Sequence, residues 1–323
     1  MYRSKKMIVF LMCICTLIFI SSVSYADENF PTKEIEIICP YGAGGGLDVN
    51  LRVMSAEAEK VLGVPVLIIN KPGAGGAIGF LEGAKAPADG YTLQGITPSV
   101  INLQYVADVG HDLKSFDPVI LTTASPATIT VKTDAPWDTL EEFLDYCREN
   151  EGLVTAANSG PGGLWHVCAV GVEAATGVKF THVPYNSGPT AATAVAGGHC
   201  DVCTVSYGEL VPFVKGGQLK VLAVASPERG VDPNIPTMKE LGYDVDLGVW
   251  WGAMAPAGTP REIIDILYQA FEKGAKSPEF KRYIENGSLD YRLMDPDEMK
   301  VFLEKEDTKW KELIYAAGAN VVD

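Results

Sequence analysis

Positive charge is scarce in this sequence. The chain has 26 Lys and Arg residues against 41 Asp and Glu residues, which gives a formal net charge of −15. Nucleic-acid binding depends on neutralising phosphates with basic side chains, so this composition argues against a nucleic-acid partner. The same surface would repel an anionic ligand at long range. An anion site in this chain must therefore work through local contacts, chiefly through backbone N–H groups.

Long apolar runs are also scarce beyond the N-terminus. Residues 7–20 are uncharged and largely apolar, follow three basic residues, and precede the small-residue pattern Ser24-Tyr25-Ala26. This order predicts a signal peptide over 1–26 and a mature chain that begins at Asp27. The run is shorter than the ~20 residues that a membrane-spanning helix needs. We therefore expect an exported, soluble protein, whose net charge is −18 because 23 basic residues then face 41 acidic ones.

Cysteine is too sparse to form a disulfide scaffold. Five cysteines follow the predicted signal peptide, and an odd number leaves at least one unpaired or paired between chains. The C-x-x-C pattern at 200–203 falls in a predicted strand, where an offset of three places the two side chains on opposite faces. We expect buried thiols here and no redox pair. The five are Cys39, Cys147, Cys168, Cys200 and Cys203.

Motifs for metals, nucleotides and covalent catalysis are missing. The histidines and cysteines have no recognised zinc spacing, and no G-x-S-x-G nucleophile motif occurs. Two glycine-rich segments lack the last glycine of G-x-G-x-x-G, since Leu47 and Ile78 stand in its place, and neither ends in the Lys-Ser/Thr of a P-loop. We therefore expect no cofactor and no metal.

Apolar, β-rich runs alternate with helical patterns along the whole chain. Continuous rather than alternating apolar runs are typical of strands covered on both faces, which predicts an α/β fold with parallel sheets. The 297 residues of the mature chain suit two lobes better than one core. We predict one lobe from 27–124 plus 250–323, and a second from 125–249. Segments 122–126 and 248–256 would cross between them as a hinge.

The most specific local signal is the segment Pro-Tyr-Gly-Ala-Gly-Gly-Gly-Leu-Asp at 40–48. It follows a predicted strand and opens a predicted helix. Glycine lets the backbone approach a ligand closely, and the first N–H groups of a helix are unsatisfied and lie at its positive end. The segment therefore predicts an anion site, with Asp48 as a candidate N-cap. A tight turn without a ligand is the alternative.

Two further segments also lie between a strand and a helix. Asn-Lys-Pro-Gly-Ala-Gly-Gly at 70–76 would meet the first loop, because ligands bind beyond the carboxyl ends of strands in open α/β sheets. In the second lobe, Asn158 and Ser159 precede more glycines and can donate hydrogen bonds to an anion. Tyr185 is either a residue that closes the cleft or a half-buried core tyrosine.

Taken together, these segments resemble the periplasmic solute-binding proteins of tripartite tricarboxylate transporters. Each motif alone is only weakly specific for this family, but the order and spacing of all of them over nearly the whole mature chain are specific. Besides 40–48 and 70–76, the resemblance is carried by Ala-Pro-Ala-Asp-Gly-Tyr-Thr-Leu at 86–93, His-Val-Pro-Tyr at 182–185, Gly-Gly-His-Cys-Asp at 197–201 and Trp-Gly-Ala-Met-Ala-Pro-Ala-Gly-Thr-Pro at 251–260.

The resemblance implies a two-lobed periplasmic binding protein of type II-like α/β fold, with a hinge of crossover strands and a ligand cleft between the lobes. It implies a monomer that binds a small carboxylate, delivers it to membrane permease subunits and does no catalysis. First-lobe contacts would be Tyr41, Ala43, Gly44, Gly45, Asp48, Gly75 and Gly76. Second-lobe contacts would be Asn158, Ser159, Gly160, His166, Tyr185 and Asp201.

This chain departs from the family pattern at two places. Tyr41 stands where the family often has Phe, which adds a hydroxyl at the site. Gly163 stands where the family often has Ser, which removes a possible donor. Two other functions remain open at this point: a sensor partner of a membrane kinase, and a cleft hydrolase that uses Ser159 and His166.

Overall fold

The computed structural model describes residues 30–159, 162–185, 187–230 and 232–318. The predicted signal peptide and Gly160 lie outside these ranges. Within them, no helix is both long and apolar enough to cross a bilayer.

The described chain alternates strands and helices much as the sequence predicts. The strands are β1 (Ile35–Cys39), β2 (Val66–Asn70), β3 (Thr92–Ile96), β4 (Phe116–Pro126), β5 (Thr128–Lys132), β6 (Thr155–Asn158), β7 (Thr181–Pro184), β8 (Val202–Cys203), β9 (Leu219–Val224), β10 (Gly248–Pro256) and β11 (Asp290–Met294). The α-helices are α1 (Gly46–Leu62), α2 (Ala77–Ala84), α3 (Ser99–Val106), α4 (Leu140–Glu149), α5 (Leu164–Thr176), α6 (Gly188–Ala196), α7 (Tyr207–Lys215), α8 (Arg261–Ala275), α9 (Pro278–Gly287) and α10 (Pro296–Ala316).

Side-chain caps define where several of these helices begin. The Thr139 hydroxyl accepts the backbone N–H of Glu142 at the start of α4, and Asp295 accepts two backbone N–H groups at the start of α10. Such caps satisfy donors that have no partner inside the helix. By contrast, the N-cap residues of α1 and α5 are Gly45 and Gly163, which have no side chain to accept these N–H groups.

The strands form two sheets, which makes the protein a two-lobed α/β fold, as predicted. The first has the order β11-β4-β10-β3-β1-β2, and the second has the order β7-β6-β8-β5-β9. The expectation of parallel sheets is only partly right. β1 is parallel to β2 and β3, and β6 is parallel to β7 and β8, but β4, β5 and β10 pair antiparallel with their neighbours.

Strands β4, β5 and β10 lie where the chain crosses between the two sheets. β4 ends at Pro126 in the first sheet, and β5 begins in the second sheet at Thr128. The chain returns at Leu247, after which β10 runs back along β4. Ala127, Leu247 and Ala225 exchange backbone hydrogen bonds of 2.8–2.9 Å at this crossing. Because β10 enters the first sheet at the end where β4 left it, with Gly248 opposite Pro126, it must run antiparallel to β4.

The five cysteines after the predicted signal peptide are buried, and their thiols are free. Cys203 lies in β8, and its pKa is raised to about 12 by burial. Cys200 lies just outside that strand, 3.6 Å from the Tyr185 hydroxyl. Both cysteines of the C-x-x-C segment are buried, and the high pKa makes the Cys203 thiol a poor nucleophile.

Candidate functional site

A cavity of about 400 Å³ lies between the two sheets, at the ends of strands where α/β proteins bind ligands. Its lining includes residues from both glycine loops of the first sheet and from the start of α5 in the second. Another cavity, of about 640 Å³, lies on the opposite face of β10, where Trp250 rather than Trp251 contributes to the wall. We take the first cavity as the candidate site because the N-termini of α1 and α5, whose N-cap residues are both glycines, reach it from the two sheets.

The first glycine loop supplies the start of α1. Gly45 and Gly46 line the cavity, and their backbone precedes the unsatisfied N–H groups of the first helical turn. The Trp251 ring packs against this turn, since a Cβ built on Gly46 would lie 2.6 Å from Trp251 Cζ2. Ala43 and Gly44 are exposed and are not part of the cavity wall.

Asp48 is buried below this turn and holds the two first-sheet loops together. Its carboxylate accepts the backbone N–H of Gly44 at 2.9 Å, the Asn70 amide at 2.9 Å and the Arg52 guanidinium at 2.9–3.1 Å. Burial alone would raise the pKa of Asp48, but the hydrogen bonds from Arg52, Gly44 and Asn70 outweigh it and hold the pKa below its usual value. Asp48 therefore fixes the positions of the two loops, and it does not line the cavity.

The second glycine loop and Tyr41 complete the first-sheet wall. Gly75 lines the cavity, whereas Gly76 is buried at φ 109 with the Phe80 ring 2.9 Å from where a Cβ would lie. The Tyr41 hydroxyl is 2.9 Å from the Thr97 hydroxyl. Burial raises the pKa of Tyr41, so its hydroxyl keeps its proton and forms part of a polar wall with Thr97 and Ser99.

In the second sheet, Ser159 is the predicted residue that reaches the cavity. Its Oγ accepts the backbone N–H of Trp165 at 3.0 Å, which leaves the hydroxyl proton as a donor. Asn158 is buried, with its amide 3.0 Å from His182 Nδ1. The pairing that a hydrolase would need is not present, because the described hydrogen bonds do not join Ser159 to His166.

His166 supports the loop that precedes α5. Its Nδ1 accepts the backbone N–H of Gly162 at 3.2 Å, and its ring packs edge-on against His182 with centroids 4.6 Å apart. Burial, followed by the charge of His182, lowers the pKa of His166. An unprotonated Nδ1 is also what the hydrogen bond from Gly162 requires.

Acidification is therefore expected to destabilise this loop. The folded state keeps His166 neutral at pH values where the unfolded chain binds a proton, so stability is unaffected above about pH 6.5 and falls below it. The loss is about 1.4 kcal/mol for each unit by which the pKa is lowered. Denaturant unfolding of wild type and His166→Asn between about pH 5 and 8 checks this, because the Asn oxygen can accept from Gly162 without titrating.

The exposed His199 provides the matched control for this experiment. His199→Asn should keep the wild-type slope of stability against pH, whereas His166→Asn should have a smaller slope. Equal slopes for all three proteins would contradict the assigned role of His166.

The other two predicted second-sheet residues are not part of the cavity wall. Tyr185 is half-buried with its hydroxyl near Cys200. Asp201 accepts both the backbone N–H and the hydroxyl of Thr155 at 2.8 and 2.6 Å, which ties β6 to the start of β8.

Several residues of the described wall were not predicted from the sequence, and three of them are important for the chemistry of the site. Asn102 in α3 is 3% exposed, and neither its amide nitrogen nor its oxygen has a hydrogen-bond partner. Trp251 in β10 and Glu209 in α7 also line the cavity. Asn102 and Glu209 follow no glycine motif, and only the packing of α3 and α7 brings them here.

Two α/β sheets joined by crossover strands around a polar cavity define the class of two-lobed periplasmic binding proteins. The family described as "Tripartite tricarboxylate transporter family receptor" matches residues 50–319. The chain belongs to this family of solute receptors.

Solved structures agree with this assignment. A TctC solute binding protein from Polaromonas is 32% identical, with a TM-score of 0.77 over 88% of this chain and 99% of that one. MatC from Rhodopseudomonas palustris with bound malate is 26% identical, with a TM-score of 0.74 over 88% and 100% of the two chains. An R. palustris protein with adipate is 26% identical, with a TM-score of 0.78 over 90% and 98%.

Proposed function

We propose that this chain is a periplasmic receptor that captures a small carboxylate between its two sheets. It delivers the carboxylate to the membrane permease subunits of a tripartite tricarboxylate-type transporter and does no chemistry on it. The family assignment supports the receptor role, and similar proteins were solved with malate and adipate. The signal-peptide pattern over 1–26 supports export to the periplasm.

One observation supports the choice of a carboxylate: the N-termini of α1 and α5 reach the same cavity from the two sheets. Their N-cap residues, Gly45 and Gly163, both line the cavity and have no side chain to accept the first N–H groups. At α5, Ser159 Oγ already accepts one first-turn N–H, that of Trp165. Unsatisfied N–H groups at a helix N-terminus form a ready anion site. No Lys, Arg or His is among the described residues of the wall, so these N–H groups are the main positive element.

Asn102 adds a second reason to place a polar ligand here. A buried amide without partners costs free energy unless a ligand or water satisfies it. Asn102 lies in the same wall as the hydroxyls of Tyr41, Thr97 and Ser99. A bound carboxylate would accept from the amide nitrogen, and a water molecule would donate to the amide oxygen.

We assign direct or water-mediated ligand contacts to Tyr41, Gly45, Gly75 and Ser159, together with Asn102. Asp48, Gly76, Asn158 and His166 shape the loops from behind. A hydrogen bond to a charged group contributes about 1.5–3 kcal/mol. Four or five of them, less the cost of closing the lobes, correspond to micromolar affinity at about −8 kcal/mol.

Calorimetry on the purified, ligand-free protein tests this function. Titration with a panel of mono- and dicarboxylates is expected to give heat from at least one with micromolar affinity. Silence across the carboxylates, with heat from an uncharged sugar or a simple cation, would refute it.

Asn102→Leu serves as the companion variant. Leucine has nearly the shape of asparagine and removes both unpartnered polar atoms. We expect about tenfold weaker binding, which corresponds to about 1.4 kcal/mol. Unfolding should occur at no lower temperature, because replacing an unsatisfied polar group by an apolar one is not costly.

A further inference from the structure

Glu209 is the one ionisable acid among the described residues that line the cavity. It lies in the first turn of α7, and its Oε2 accepts the Ser206 hydroxyl at 3.0 Å. Burial raises the pKa of Glu209, with the hydrogen bond from Ser206 opposing that effect. No basic side chain of the described wall compensates its charge.

Gly188 and the Trp165 indole lie next to Glu209 in the cavity wall. A Cβ built on Gly188, at the start of α6, would lie 2.7 Å from Glu209 Oε2 and 2.7 Å from Trp165 Nε1. Two atoms that are each 2.7 Å from one point are at most 5.4 Å apart, since 2.7 + 2.7 = 5.4. An indole N–H donor and a carboxylate acceptor therefore flank Gly188, where any larger residue would collide with both.

This arrangement conflicts with a simple dianionic ligand. One carboxylate of the ligand is accommodated by the N-termini of α1 and α5. A second carboxylate near Glu209 would face a like charge in a partly dehydrated cavity with no basic side chain, and like charges at short range repel strongly there. At the end of the cavity near α7, the wall instead presents the Glu209 carboxylate, which accepts hydrogen bonds.

We propose that the ligand carries an ammonium group as well as a carboxylate, and that Glu209 accepts hydrogen bonds from that ammonium. The inference rests on the proposed carboxylate-receptor function and narrows its substrate class to amino carboxylates. Ammonium donors and an ionised acceptor form charge-assisted hydrogen bonds, which are about twice as strong as neutral ones. Malate and adipate, seen in similar proteins, carry no such group.

A purely structural role for Glu209 makes a different prediction. Acids in the first turn of a helix stabilise it through the helix dipole and through capping. If that were its whole role, Glu209→Gln would lower the melting temperature and leave the order of ligand affinities unchanged. A change in the order of ligand affinities in Glu209→Gln therefore distinguishes a ligand-binding role of Glu209 from a purely structural one.

The test uses calorimetry with ligands matched in carbon number. Alanine, β-alanine and γ-aminobutyrate are compared with propionate, butyrate, lactate, malonate and succinate, on wild type and Glu209→Gln. Wild type should bind its best amino carboxylate at least tenfold more tightly than any matched acid without nitrogen. Glu209→Gln should weaken that binding at least tenfold and should leave monocarboxylate binding within about twofold.

Glu141→Gln is the matched control, since Glu141 is an exposed acid in the first turn of α4. It should keep wild-type affinities for every ligand. Tighter wild-type binding of dicarboxylates or hydroxycarboxylates than of amino carboxylates, or an unchanged affinity ratio in Glu209→Gln, would overturn the role of Glu209 while leaving the carboxylate receptor intact. Silence toward every carboxylate would overturn both.

Discussion

Replacing Gly46 with alanine is expected to weaken ligand binding by about two orders of magnitude. The added Cβ would lie 2.6 Å from Trp251 Cζ2, so either the ring or the first turn of α1 must move. Trp251 has little freedom to retreat along β10, because a Cβ on the neighbouring Gly252 would already lie 2.2 Å from the Ile120 carbonyl. Losing one or two charge-assisted hydrogen bonds of about 1.5–3 kcal/mol each gives a loss of this size.

Gly42→Ala is the matched control for this experiment. Gly42 lies in the same loop, but a Cβ there would have nothing within 4 Å. It should bind like wild type, and thermal unfolding of both variants would show that each remains folded. Wild-type affinity in Gly46→Ala would show that the start of α1 does not hold the ligand.

The structure distinguishes Gly46 from Gly44, which lies in the same loop. Gly44 has φ 82, but a Cβ there would meet open space, and its N–H is already bonded to Asp48. The glycine pattern identifies the loop, because a run of glycines after a strand permits close backbone approach. It does not say which glycine faces the cavity, since that depends on Trp251, 205 residues further along the chain.

The alternation of strands and helices predicts the α/β class and the three loops well. The helix predicted to open at the 40–48 segment is found at Gly46–Leu62. The chain crosses between the sheets at Ala127 and Leu247, and the lobe boundaries at 124/125 and 249/250 stay predictions. The direction of the strands was harder to predict. Apolar runs in β4 and β10 are as continuous as in β1, but their antiparallel pairing follows from the route of the chain between sheets.

The polar residues of the cavity were harder to predict from the sequence than the direction of the strands. Asn102 and Glu209 lie in helices, where an isolated polar residue usually faces solvent. Their partners in the wall are distant in sequence, so no local spacing signals them. Conversely, Asp48 and Asp201 stand beside recognisable motifs, yet their carboxylates are occupied by neighbouring backbone and side-chain donors.

Asp48→Ala is expected to lower the free energy of unfolding by about 3 kcal/mol, the low end of the range for breaking a buried ion pair, because Arg52 is itself half exposed. Asp48 is only 2% exposed, and its removal leaves the Gly44 N–H and the Asn70 amide without their acceptor. Both glycine loops lose their common anchor, so ligand affinity should fall as well.

The Asp48 carboxylate also predicts how the free energy of unfolding changes at low pH. The pKa of Asp48 is lowered in the folded state, so its contribution to stability is fully present above the usual value of about 3.9 and is lost as pH falls through the folded pKa. Denaturant unfolding at pH 7 and at stepwise lower pH measures both effects. Asp48→Asn should lose part of this acid sensitivity, since asparagine does not titrate.

Asp145→Ala provides the control for an ordinary ion pair. Asp145 contacts Arg148 at 2.6 Å on the surface of α4, with side chains that are 71% and 45% exposed. Exposed pairs of this kind contribute about 0–1 kcal/mol, so this variant should unfold nearly as wild type does. An equally small effect of Asp48→Ala would mean that Asp48 is not the anchor of the two loops. The acidic residue beside the glycine motif would then have to be reconsidered as a ligand contact, which is the role that the sequence first suggested.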